Sequence, residues 1–243
     1  MDPETYLQHF DADSERIAEV ASTGLGTAIP FLGTWTVRDL VAHTGAVYAF
    51  ARANLVAHAV EVTAAGAEAQ APEGDEIIPW FRNRRDAVGE AMRAADLAAE
   101  GWTFAGRRPG SFWVRRMAHE TAVHRLDAEA ALGVPTPFAP ALAKDAIDEY
   151  TEISLRYSSS RPDREYPAQT LHLHCTDIEG EWMLARAADG SVVVTAEHGK
   201  GDAAVRGMAE TLLRWIWGRP VADDQVELFG DPDVAAAWAA LAP

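Results

Sequence analysis

The residues best placed to do chemistry lie between Trp113 and Ala131. At helical period, Trp113, Met117, Glu120, His124, Asp127 and Ala131 follow one another by four, three, four, three and four, so they share one face. That face begins apolar and ends small, as a core-facing stripe does, yet its middle carries two carboxylates and an imidazole. Ionisable groups on a buried stripe need partners, because unpaired buried charge is expensive. A metal ion is one such partner. Glu120 and His124 sit one turn apart and roughly 40° apart around the helix, so they can chelate together. Asp127, three residues after His124, can accept the other imidazole N–H. Arg125 points about 100° away from His124, where it can meet neighbours of Glu120 or an anionic substrate.

The zincin pattern HExxH is the tempting match here, and it fails. His119 and His124 are five residues apart, which places them roughly 140° apart around a helix, so both cannot face one ion. One carboxylate and one imidazole make half a site. A histidine from another helix would complete a His₂Glu set, the ligand type of a catalytic zinc site with an open position. His43 is the best third member, because it falls between Leu40 and Val47 at spacings of three and four. His9, His58 and His198 are weaker, lying near the N-terminus, near a helix end and in a turn. The competing reading is a structural network paired with arginine and holding no metal.

Two other features have bland readings. His172 and His174 alternate with Leu171, Leu173 and Cys175, which makes them a strand face, expected to be solvated rather than ligating. Cys175 reads as a small core residue on the opposite face. It is the only cysteine, so the chain can build no internal disulfide and no cysteine zinc site.

Several helices must position the motif. The first spans about 4–28, with Tyr6, Phe10, Ile17, Val20 and Ala21 inward. The second starts at Thr36, a good N-cap with Asp39 three residues on, and runs to about His58. Residues 62–76 are poor in large apolar groups and read as a mobile connection. A third helix covers Ile78 to Ala99, and Gly101 to Gly110 is a loop. The fourth, capped by Ser111, runs to about Leu132, where Gly133, Pro135 and Pro137 stop it. Four such helices make a bundle, a fold that commonly builds metal sites from inward side chains. Residues 140–157 are expected to be helical and to belong with this bundle, as a domain spanning 1–157. Ser158 to Pro167 reads as the boundary. The second domain, 168–243, is α+β: strands at Thr170–Cys175, Glu181–Arg186 and Ser191–Thr195, a helix over Asp202–Trp217 and a short one at Asp233–Leu241.

The chain has 243 residues, 48% of them apolar, and a formal charge of −16 with a pI near 4.8. A surface this acidic repels phosphate, so neither nucleic acid nor an anionic membrane is expected as a partner. The start, Met1-Asp-Pro-Glu-Thr-Tyr6, lacks the apolar core of a signal peptide, and a cytoplasmic location is expected.

Trp35-Thr-Val-Arg-Asp-Leu-Val-Ala-His43, followed by His119-Glu-x-x-x-His-Arg-x-Asp127, resembles the mycothiol-dependent maleylpyruvate isomerase family. Leu173-His-Cys-Thr-Asp177 with Trp182, and the helix around Leu212 to Pro220, are similar to its C-terminal domain. The resemblance implies a DinB-like four-helix bundle followed by a small α+β domain. It places the family's metal ligands on His43, Glu120 and His124, with a divalent metal, zinc foremost, as cofactor. It implies mycothiol as thiol co-substrate and a small electrophile as the other partner. In the isomerase the thiolate adds to a cis double bond, the adduct rotates, and elimination gives the trans product; in sister enzymes the thiol is transferred to an electrophile. An enzyme of either kind is one reading. A non-catalytic protein that binds metal or a small ligand on the same bundle is the alternative.

Overall fold

The computed structural model describes residues 1–156 and 165–242. Tyr157, expected on an inward helical face, and Ser158–Arg164 of the expected boundary lie outside the described residues. The chain divides into two compact units, Met1–Thr136 and Pro137–Pro243.

In the first unit, α1 (Pro3–Ala21), α2 (Val37–Ala57), α3 (Ile77–Ala94) and α4 (Ser111–Leu132) close a bundle in which α1 adjoins α3 and α4, and α2 adjoins α3 and α4. The start of α2 follows from its sequence. Thr36 and Asp39 form a reciprocal capping box, the Thr36 N–H donating to Asp39 Oδ2 at 2.8 Å. Helix α4 starts at Ser111 as expected, but Gly110 takes the cap position and no side chain caps it. The bundle centre is aromatic. Phe10 meets Tyr48 edge-on at 5.3 Å, Tyr48 meets Phe81 at 5.5 Å, and the buried Tyr48 hydroxyl is satisfied by Thr121 at 2.8 Å.

Two expectations for this unit change. Residues 100–109 are a hairpin rather than a loop: β1 (Glu100–Thr103) pairs antiparallel with β2 (Gly106–Pro109) around a tight turn, where Gly106 takes a positive φ of 90°. The connection over 62–76 is tied to α2, Asn54 exchanging two hydrogen bonds with the backbone of Thr63 and Arg38 donating to Gly74 O.

The second unit begins earlier than the sequence suggests. Helix α5 (Pro140–Glu149), continued by a π-helical turn at Tyr150–Ser154, belongs to it and not to the bundle. It buries Leu142, Ala143, Ala146 and Ile147, and its Asp148 accepts the Trp182 indole N–H at 2.8 Å. A five-stranded sheet follows in the order β5-β4-β3-β6-β7, made of β3 (Leu171–Cys175), β4 (Glu181–Arg186), β5 (Val192–Thr195), β6 (Ala203–Gly207) and β7 (Val226–Gly230). β3 and β6 are parallel; the other pairs are antiparallel. The expected helix over 202–217 is therefore β6 followed by α6 (Ala209–Ile216), and α7 (Pro232–Ala239) closes the described chain. Leu171, Leu173, Cys175, Trp182, Leu184, Ala203 and Val205 fall in register on one buried face, with α6 and α7 adjoining β3 and β6. His172, His174 and Glu181 alternate onto the other face.

Candidate metal centre

Helices α2 and α4 bring three of the sequence-nominated residues together. His43 Nε2 lies 3.2 Å from Glu120 Oε1, and His124 Nε2 lies 3.3 Å from the same oxygen. The three donors all lie within 4.8 Å of one another. Donors about 2.0–2.1 Å from a tetrahedral zinc ion stand roughly 3.3–3.4 Å apart, so the two spacings match such an ion with little movement. Three protein donors leave a further position open, as catalytic zinc sites do. The donor set fits a divalent metal.

Its surroundings decide the charge state. Burial alone would raise the Glu120 carboxyl. Arg116, which pairs with its other oxygen from one turn back, and then His124 and His43 hold it well below the usual carboxylate range. Burial likewise disfavours a charged His124, but Glu120 and Asp127 overcome it and push the imidazole up to about 9. Between two carboxylates this ring carries a proton where a cation would otherwise sit. Asp127 Oδ2 accepts from His124 Nδ1 at 3.1 Å, which turns Nε2 toward Glu120. The Trp35 ring stacks near His124 at 6.4 Å and tilts over His43 at 5.0 Å. The His43 side chain is 38% exposed and those of Glu120 and His124 under a tenth, so the group opens to solvent on the His43 side.

The remaining nominated residues sit elsewhere. His119 is buried and meets Tyr6 edge-on, outside the donor group. The buried Arg125 side chain reaches Asp13 at 3.3 Å and donates to Thr136 at 2.8 Å, so it serves as a strut of the bundle and is not presented to a substrate. Cys175 is buried, and burial, with Asp177 and Asp148 adding to it, pushes its thiol up to about 12. Arg116 joins the group as well, pairing with Glu120 from one turn earlier on α4. Its position four residues before Glu120 was the available signal.

Two domain families cover the chain. The mycothiol maleylpyruvate isomerase N-terminal domain matches residues 7–129, and the MDMPI C-terminal domain matches 127–237. The chain belongs to the mycothiol maleylpyruvate isomerase family. Crystal structures of the mycothiol-dependent maleylpyruvate isomerase and of a histidine-to-alanine mutant of it share the fold, with TM-scores of 0.59 and 0.58. Each is 18% identical, over 94% of this chain and 93% of the other. No curated protein matches the chain. Like the family fold, the chain has a helical N-terminal region and a sheet-containing C-terminal one, and no helix among the described residues is long and apolar enough to cross a membrane.

Proposed function

We propose that this protein is a metal-assisted, mycothiol-dependent enzyme that isomerises a small electrophile or transfers the thiol to it. The observation that carries this reading is the convergence of His43 Nε2, Glu120 Oε1 and His124 Nε2 beside an opening to solvent. Those three residues would hold a divalent ion, zinc foremost, which supplies a Lewis acid that makes a neighbouring thiol a thiolate at neutral pH. Arg116 keeps Glu120 an anion, so the group carries a negative donor without a proton to displace. With a metal bound, Asp127 would keep the proton on His124 Nδ1 and leave the Nε2 lone pair to the ion that displaces the second proton. Trp35 walls one side of the group, its ring beside those of His43 and His124. The protein offers no competing nucleophile here, since its one thiol, Cys175, is buried in the other unit with its proton held tightly. The low-molecular-weight thiol named for the structural relatives fits that gap, and an acidic surface is suited to a small co-substrate rather than to nucleic acid.

Elemental analysis of untagged protein, wild type against Glu120→Ala and His124→Ala, tests the first half. Metal present in wild type and diminished in both variants is the expected result; no change in either would overturn it. Mixing the loaded enzyme with mycothiol and maleylpyruvate or a panel of electrophiles tests the second half. Isomerisation or thiol consumption supports the enzyme, and neither, throughout the panel, makes the protein a binder.

A further inference from the structure

A second group of donors converges in the second unit, on the sheet face opposite α6 and α7. His172 and His174 project from β3 on that face, and Glu181 is the direct cross-strand partner of His174 on β4. His198 arrives from the segment between β5 and β6. The Glu181 carboxylate sits at the centre. Its Oε2 lies 3.3 Å from His172 Nε2 and 2.9 Å from His198 Nδ1, and its Oε1 lies 2.8 Å from His174 Nδ1. One donor atom from each of the four residues falls within 4.8 Å of all the others, and the three rings stand 5.9–6.1 Å apart, centre to centre.

A solvated strand face does not account for this. His172 is 6% exposed, and Gly201 closes over it: a Cβ there would meet the His172 backbone nitrogen at 3.1 Å. The segment that follows His198 thus runs close against β3 at His172. The His198 side chain is 81% exposed, yet it is aimed back at Glu181. An exposed hydrogen bond of that kind repays little of the freedom lost in holding the ring there. Three imidazoles around a single carboxylate are far better explained as a donor set.

We propose that His172, His174, Glu181 and His198 form a second divalent-metal site, independent of His43, Glu120 and His124. Three nitrogens and one carboxylate oxygen select a borderline first-row ion such as zinc over calcium or magnesium, which need oxygen ligands. The Glu181–histidine spacings of 2.8–3.3 Å lie up to about 0.5 Å inside the roughly 3.3–3.4 Å between ligands of a tetrahedral zinc, so loading would need the rings to shift by a few tenths of an ångström around Glu181. An open cavity of about 530 Å³ lined by Lys144, Asp148, Glu179, Glu181, Trp182 and His198 gives an ion access without unfolding. Bound there, the ion ties β3, β4 and the β5–β6 segment together.

Chelator-stripped, untagged protein titrated with cobalt(II), read by visible absorption, and with zinc(II) tests the site. Wild type is expected to take up two equivalents. Glu120→Gln/His124→Gln, lacking the first site, is expected to keep one; adding His174→Gln/His198→Gln should remove it. A first-site variant that is folded by circular dichroism yet binds no cobalt overturns the proposal. So does a retained equivalent that ignores the second pair of substitutions. Should the first-site variant fail to fold, His198→Ala in wild type decides, because its exposed ring bears no packing load. Weakening of one of two equivalents by roughly tenfold or more supports the site; a single equivalent, unchanged by His198→Ala, overturns it.

Discussion

Asp127 Oδ2 accepts from His124 Nδ1 at 3.1 Å, and that one bond determines which imidazole nitrogen faces Glu120. Both residues are buried, so no water can take the place of the carboxylate. In Asp127→Asn the amide oxygen can still accept the bond, but the negative charge that supports the ring is gone. Metal affinity at the His43–Glu120–His124 group should fall roughly 10- to 100-fold. Competition with a chromogenic chelator measures it, with the His198→Ala protein as background. An unchanged affinity would show that the negative charge of Asp127 contributes nothing to the ring's hold on the metal.

His119 and His124 should separate cleanly. His119 is 1% exposed and packs edge-on to Tyr6, while His124 holds the donor position. His119→Gln is expected to lower stability, as polar repacking in a core does, and to leave metal at this group intact. His124→Gln is expected to lose that metal. Thermal unfolding and metal stoichiometry on the same samples distinguish the two effects, and loss of metal in His119→Gln would restore the zincin-like reading.

Asp13 makes stability depend on pH. Burial raises its carboxyl from 3.8 to about 6, against the pull of Arg125 and with some help from Glu129. A carboxyl that holds its proton more tightly when folded stabilises the fold at low pH, and that contribution is lost as pH rises through about 6. Asp13→Asn lacks the titration. Its stability relative to wild type should therefore improve by about 1–2 kcal/mol between roughly pH 5 and pH 8. Urea unfolding of both proteins across that range reads the difference; a flat difference would mean that Arg125 keeps Asp13 ionised throughout.

Most of the bundle was legible because its signals are local. Thr36 with Asp39 marks a helix start, and Glu120 and His124 declare a shared face by spacing alone. Partners that meet only in three dimensions were harder. His43 was reachable because α2 has its own period, whereas His198 lies in a segment with no period, and nothing near it in sequence points to Glu181. Strand β6 was read as helix because Ala203–Gly207 is short, carries two alanines and runs straight into α6; its strand character comes from parallel pairing with the distant β3. Strands β1 and β2 are four residues each, and β2 is exposed along its length, so no apolar alternation marks them. The unit boundary was misplaced for a similar reason, since the partner of α5, Trp182, lies far along the chain.

Gly45 shows how such a long-range contact overrides local preference. It sits inside α2, two residues from His43, where alanine would favour the helix by about 1 kcal/mol. A Cβ at Gly45, however, would stand 2.3 Å from Cζ3 and 2.5 Å from Cη2 of Trp80 on α3. Overpacking of this kind costs about 1–3 kcal/mol, because a rigid indole ring has few ways to yield. Gly45→Ala should therefore destabilise the protein by about 1 kcal/mol despite its better propensity. In a Trp80→Ala background the clash disappears, and the same substitution should become stabilising by about 0.5–1 kcal/mol. Chemical unfolding of the four proteins completes the cycle. If Gly45→Ala is stabilising in both backgrounds, α2 and α3 are not held at the distance the glycine allows.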